Sequence, residues 1–123
     1  MAKWPRFGSC KTRLSKDIGK SNALRIQNKM LIHTLSVTNY LKEQELAEII
    51  IAITGLGLNS SKRWCKNLGI NNFYFQGKGC LGEKMKRQIH KCRRNSRNYQ
   101  KKNIIFIGTD LPNLSHLDIV KTI

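Results

Sequence analysis

The sequence predicts an α/β layer fold with a largely parallel sheet, and three observations carry that expectation. Helical and strand-like stretches alternate from residue 21 onward. Two apolar runs, within Glu48–Thr54 and Asn103–Ile107, lack polar alternation and suit strands covered on both faces. Glycines close the strand-like stretches and the short helix between the first two of them. A chain of 123 residues without repeats or low-complexity linkers reads as one domain.

Met1 to Leu14 reads as a loop, broken by Pro5 and Gly8 and crowded by Lys3, Arg6, Lys11 and Arg13. Gly8 permits close backbone approach, and Lys11 with Arg13 suits a phosphate through charge-assisted hydrogen bonds. A solvated basic turn is the other use of the same residues. Cys10 stands where a Walker A loop needs glycine, so that motif is excluded. From Ser21, a plausible N-cap, to about Gln44 the pattern is helical. Its stripe is Ala23, Ile26, Met30, Thr34, Val37 and Leu41, widened by Leu24, Leu31 and Leu35. His33 lies beside it with no second ligand at helical spacing, which argues for packing or surface rather than metal.

Glu48–Thr54 is the next strand, closed by Gly55 and Gly57. Ser60–Leu68 follows as a short helix with Trp64 and Leu68 on one face and Gly69 ending it. Asn72–Gln76 is an aromatic strand whose alternating faces favour core packing over base stacking. Gly77–Gly82 then feeds a basic helix from Glu83 to about Arg97, with Met85, Ile89 and Cys92 as a narrow apolar stripe. Such a loop either receives an anion at the helix N-terminus or merely connects, and the residues fit both. The run Ile104–Ile107 reads as a buried strand after polar Lys101-Lys102-Asn103. Asp110 follows, where ligands gather in open α/β sheets. A carboxylate there suits a hard cation bridging to phosphate, or it opens a turn before Pro112. Ser115 and Asp118 then read as a capping box for a last helix.

Charge is the unusual bulk property: 23 Lys and Arg against 7 Asp and Glu give +16, which attracts polyanions nonspecifically. The four cysteines form no CxxC pair, so free thiols in a reducing compartment are expected. Neither a membrane span nor a signal-peptide core is present, and the sequence reads as cytoplasmic.

Three segments together resemble one family. They are Ala2-Lys3 with Pro5, Gly8 and Lys11-Thr12-Arg13-Leu14; Gln76-Gly77 with Leu81-Gly82-Glu83 and Met85; and Gly108-Thr109-Asp110 with Pro112 and Leu114. They are similar to a bacterial glycosyltransferase-like family of the arsenosugar-biosynthesis type. That family is related to GT-A nucleotide-diphospho-sugar transferases and to nucleotidyltransferases of the molybdopterin-guanylyl type. The resemblance implies a three-layer, mostly parallel GT-A sheet. It also implies a nucleotide site at Lys3, Gly8, Lys11, Arg13, Gln76, Gly77, Gly82 and Glu83, and Mg²⁺ or Mn²⁺ at Asp110. The partners so implied are a nucleotide sugar, or an NTP, and an unidentified acceptor.

Two departures from the family pattern stand out. Cys80 and Lys84 replace an acidic residue and an arginine. The family also has a complete first strand before the basic loop and further elements after the Asp110 segment. Residues 1–123 are therefore expected to be a partial domain, truncated at both ends, with activity at risk. The alternatives carried forward are nucleotidyl transfer and a basic nucleic-acid-binding domain, although no helix-turn-helix, RRM or KH signature supports the latter.

Overall fold

Residues 1–95 and 103–123 are described by the computed structural model, in which short strands and helices alternate as an α/β chain. Two units divide it: Met1 with Ile50–Ile107, and Ala2–Ile49 with Gly108–Ile123.

In the first unit, β2 (Ile51–Thr54) and β3 (Phe73–Phe75) pair in parallel, placing Ile51, Ala52 and Ile53 opposite Phe73, Tyr74 and Phe75. All three β2 partners are buried, as an unbroken apolar run demands. Parallel neighbours need a crossover, and α3 (Leu58–Asn67) supplies it. Its end is a Schellman motif: Gly69 N–H donates to Lys66 O and Ile70 N–H to Cys65 O, with Gly69 at φ +69°. Trp64, Cys65 and Ile70 are buried there, while Leu68 is half-buried. The β3 aromatics correct an expectation, since all three are half-buried rather than core. Phe73 and Phe75 share one face edge to face at 5.7 Å, and Tyr74 lies beneath Lys91 Nζ at 5.5 Å.

α4 (Leu81–Asn95) begins two residues before the expected start, and Arg97, like Lys101 and Lys102, lies outside the described residues. The larger correction is Ile104–Ile107, which is not a strand. Ile105 is 38% exposed, and the other three are half-buried. A strand exists only through a ladder partner, which an apolar run cannot specify. Here the Met1 amino group donates to Ile107 O.

The second unit holds β1 (Ala2–Lys3), α1 (Leu14–Ile18), α2 (Lys20–Glu43) and α5 (His116–Val120). Helix α1 starts at Leu14, the last residue of the expected loop, and runs through residues to which the sequence pattern assigned no element. Gly19, at φ +85°, separates it from α2 and takes the N-cap position expected for Ser21. The buried face of α2 is also rotated from the expected stripe. Ala23, Gln27, Leu31, Thr34, Leu35, Thr38 and Leu41 are buried, while Ile26, Met30 and Val37 are only half-buried. Two of the polar intruders are satisfied within the helix, Thr34 Oγ1 donating to Met30 O and Thr38 Oγ1 to Leu35 O.

α2 also ends in a Schellman motif, with Glu45 N–H to Lys42 O and Leu46 N–H to Leu41 O. The left-handed position is held by Glu45, at φ +56°, instead of glycine. His33 is a packing residue, its Nε2 donating to Leu114 O at 2.9 Å. Tyr40 stacks obliquely on His116 at 4.5 Å. The Ser115–Asp118 capping box forms as expected, and Ile119 behind it is buried. No described helix is long and apolar enough to cross a membrane.

Candidate functional site

The basic loop of the second unit is organised by its own backbone. Arg6 N–H donates to Trp4 O across Pro5, and Ser9 N–H to Arg6 O. Lys3 turns onto this loop, its Nζ donating to Ser9 O at 2.7 Å. Gly8 takes φ +76°, as a reversal of this kind favours. Lys11 takes φ +49° although it is not glycine, a left-handed conformation costing about 1–2 kcal/mol in a residue with a Cβ.

That turn leaves the Lys11 ammonium 3.7 Å from Asp110 Oδ2. The pair is partly exposed, 24% for Lys11 and 63% for Asp110, so its direct contribution to stability is small, about 0.2–1 kcal/mol. Its interest is chemical. Asp110 Oδ1 folds back over Gly108, where an added Cβ would lie 2.7 Å away. Gly108 therefore makes room for this carboxylate, a role that the sequence pattern did not assign to it. Arg13 stands exposed at the N-cap of α1, where its carbonyl accepts from Lys16 N–H at 3.2 Å.

Asp110 is a single hard-oxygen donor. Among the described residues no group of three or more His, Cys, Asp or Glu could hold a metal ion. The donor set does not make a cage for a resident cation. Mg²⁺-like ions that keep water and take their remaining ligands from phosphate need only one or two protein carboxylates.

In the first unit the expected residues Gln76, Gly77, Gly82 and Glu83 surround the loop before α4. Gln76 is buried, and its side-chain Nε2 donates to Ala52 O at 2.9 Å, so its amide braces the parallel pair. Gly77, at φ +75°, lies under Arg87, whose guanidinium donates to Gln76 O and to Lys78 O, the latter at 3.0 Å. Glu83 Oε2 accepts from Cys80 N–H at 2.8 Å, so a carboxylate of the helix itself occupies its N-terminal donor. Gly82 sits exposed in the first turn of α4. Arg87 was counted only among many basic residues. Its placement four residues after Glu83, facing the loop glycines, was the available signal.

Farther along α4 a shallow groove of about 410 Å³ is lined by Glu83, Lys86, Arg87, His90, Lys91 and Arg94. Lys91 is anchored, its Nζ donating to Phe75 O. Lys86, His90 and Arg94 are exposed at successive four-residue steps, which sets them about 6 Å apart along the axis.

A parallel pair with a helical crossover, joined by glycine-bearing loops to the surrounding helices, defines an α/β protein. The chain belongs to the bacterial family described as "Uncharacterized protein conserved in bacteria (DUF2064)", which it matches over residues 37–123. That span includes Gln76, Gly77, Gly82, Glu83 and Asp110, and leaves the basic loop outside it. No curated protein and no solved structure matches the chain.

Proposed function

We propose that this protein is a cytoplasmic sugar-nucleotide transferase of the GT-A type, moving a sugar from a nucleoside-diphosphate donor to an acceptor not yet identified. The observation that carries the reading is the pairing of Lys11 with Asp110, two residues from opposite ends of the sequence. Glycosyl transfer releases a nucleoside diphosphate, and the developing charge needs cations placed in advance. Lys11 and Arg13 supply fixed positive charge on the basic loop, and Asp110 supplies the oxygen ligand for Mg²⁺ or Mn²⁺. An ion held there would supply positive charge to the diphosphate leaving group. Lys3 and Gly8 hold the loop's shape.

The test is a panel of nucleotide sugars and NTPs with Mn²⁺, read by calorimetry or thermal shift. Sugar-nucleotide binding with a metal-dependent part that Asp110→Ala abolishes is expected. Preference for an NTP over every sugar nucleotide would redirect the reading to nucleotidyl transfer, which uses the same groups. Absence of nucleotide binding with or without metal would end it.

A second reading, attraction of a nucleic acid, draws on the exposed row Lys86, His90 and Arg94 and on the net charge of +16. Affinity that falls steeply with salt and ignores sequence would mark it as nonspecific.

A further inference from the structure

We infer that the face of α4 bearing Lys86, His90 and Arg94 is a seat for the phosphate backbone of a single-stranded nucleic acid. The inference rests on the nucleic-acid reading, to which it gives one surface and one form of partner, and it needs nothing from the transferase reading.

This surface lies wholly within the first unit. Arg87 and Lys91 line its groove and are held in place there. The Arg87 guanidinium donates to Gln76 O and Lys78 O, and Lys91 Nζ donates to Phe75 O while lying over the Tyr74 ring. Buried Gln88 gives Phe75 O a second donor, so α4 is fastened to the end of β3 rather than standing clear of it. Beside this fixed wall run Lys86, His90 and Arg94, all exposed. They span about 12 Å in two steps of about 6 Å. Among the described residues no ion pair engages Lys86 or Arg94. Glu83, the one carboxylate on the lining, is occupied at the N-terminal end of α4, where it accepts from Cys80 N–H. A row of cations is left with no protein anion to neutralise it, an arrangement that gathers a linear polyanion.

The chemistry of the groove selects among polyanions. Every side chain on its lining is ionisable. A protein partner needs a desolvated apolar anchor at the centre of its interface, and this lining offers none. A lipid surface needs an apolar face to enter it, whereas the apolar stripe of α4, Met85, Ile89 and Cys92, is half-buried. Interfaces with nucleic acid are polar and positively charged, as this one is. A duplex would have to take α4 into its major groove, about 12 Å wide, and the β3 end fastened along the helix stands in the way. A single strand needs only a charged track along one side, and the four-residue step can follow its successive phosphates. Contacts to phosphate carry no sequence information, so binding is expected to be indifferent to base order.

The experiment measures the fluorescence anisotropy of a labelled oligo-dT from about 50 to 200 mM salt. The proteins are the wild type, Lys86→Gln/Arg94→Gln, the charge-keeping Lys86→Arg/Arg94→Lys, and Arg25→Gln/Lys29→Gln. The last removes an exposed basic pair at a four-residue step from α2, in the other unit. Unlabelled oligo-dT, a dT·dA duplex, poly-glutamate and phosphatidylserine vesicles serve as competitors. Lys86→Gln/Arg94→Gln should flatten the log–log salt slope by about 1.4 and weaken binding about 25-fold at about 0.1 M salt, from about 0.7 counterions for each of two lost contacts. The charge-keeping variant should bind as wild type does, and Arg25→Gln/Lys29→Gln should lose less than about threefold. Unlabelled oligo-dT should compete best. All four proteins should melt alike, since every changed residue is exposed.

An equal loss in Arg25→Gln/Lys29→Gln overturns the α4 seat and leaves nonspecific attraction of nucleic acid standing. Duplex, poly-glutamate or vesicles that compete as well as the unlabelled strand overturn the single-stranded backbone as its occupant. If wild type binds no oligo-dT even at the lowest salt, the nucleic-acid reading itself falls and the seat with it.

Discussion

An added Cβ on Gly77 would lie 2.5 Å from Nη1 of Arg87, so these two residues are sterically bound to one another. The bare glycine lets the guanidinium lie flat across the loop and reach the carbonyls of Gln76 and Lys78. Gly77→Ala is expected to destabilise the protein by about 2–3 kcal/mol. About 1–2 of that comes from the left-handed backbone, and the remainder from displacing a charged hydrogen-bond donor. Arg87→Met should cost about 1.5–3 kcal/mol, and the double variant less than the sum, because both changes break one contact. Urea denaturation midpoints of the four proteins check this. Full additivity would show that the two residues act separately.

Glu45 occupies the position where a Schellman motif favours glycine, at φ +56°. Two magnitudes oppose each other at this site. Relief of the left-handed strain returns about 1–2 kcal/mol, and the greater freedom of an unfolded glycine takes back about 0.5–1. The strain term wins. Glu45→Gly should therefore raise stability by about 0.5–1 kcal/mol, seen as a higher melting temperature, whereas Glu45→Val should lower it.

Asp118 titrates below the usual carboxylate range because the Ser115 hydroxyl and backbone N–H both donate to it, helped by positive charge on Lys121 and His116. Since the folded pKa lies below the unfolded one, the cap contributes its stability above the unfolded value, near pH 4. That contribution is lost as pH falls through the lower, folded value. A carbon-detected NMR titration should place Asp118 below an unstructured aspartate. Ser115→Ala should return it toward the ordinary value, and an Asp118 pKa that ignores this substitution would contradict the capping account.

Much of this architecture was legible from residue order, and the parts that were not share a physical cause. The β2 run, the α3 crossover ended by Gly69, and the Ser115 cap were readable because each depends on neighbours in sequence. Ile104–Ile107 was misread because a strand is defined by what pairs with it, and hydrophobicity does not name a partner. The face of α2 was misjudged because Gln27 and Thr38 look polar yet are buried, Thr38 satisfying its hydroxyl on Leu35 O inside the helix. At the candidate site the meeting of Lys11 with Asp110 could be expected from chemistry. The supporting glycine at 108 could not, because its use is spatial: it leaves a volume empty for the next carboxylate but one.

The two threonines of α2 carry a consequence for substitution on the surface they occupy. Because each hydroxyl is answered by a carbonyl of its own helix, whatever lies against that surface is asked for shape alone and never for a matching donor or acceptor. An aliphatic residue packed against either threonine can therefore be exchanged for another without a coordinated polar change at these hydroxyls. A helix that answers its own hydroxyls lets its neighbours evolve by volume.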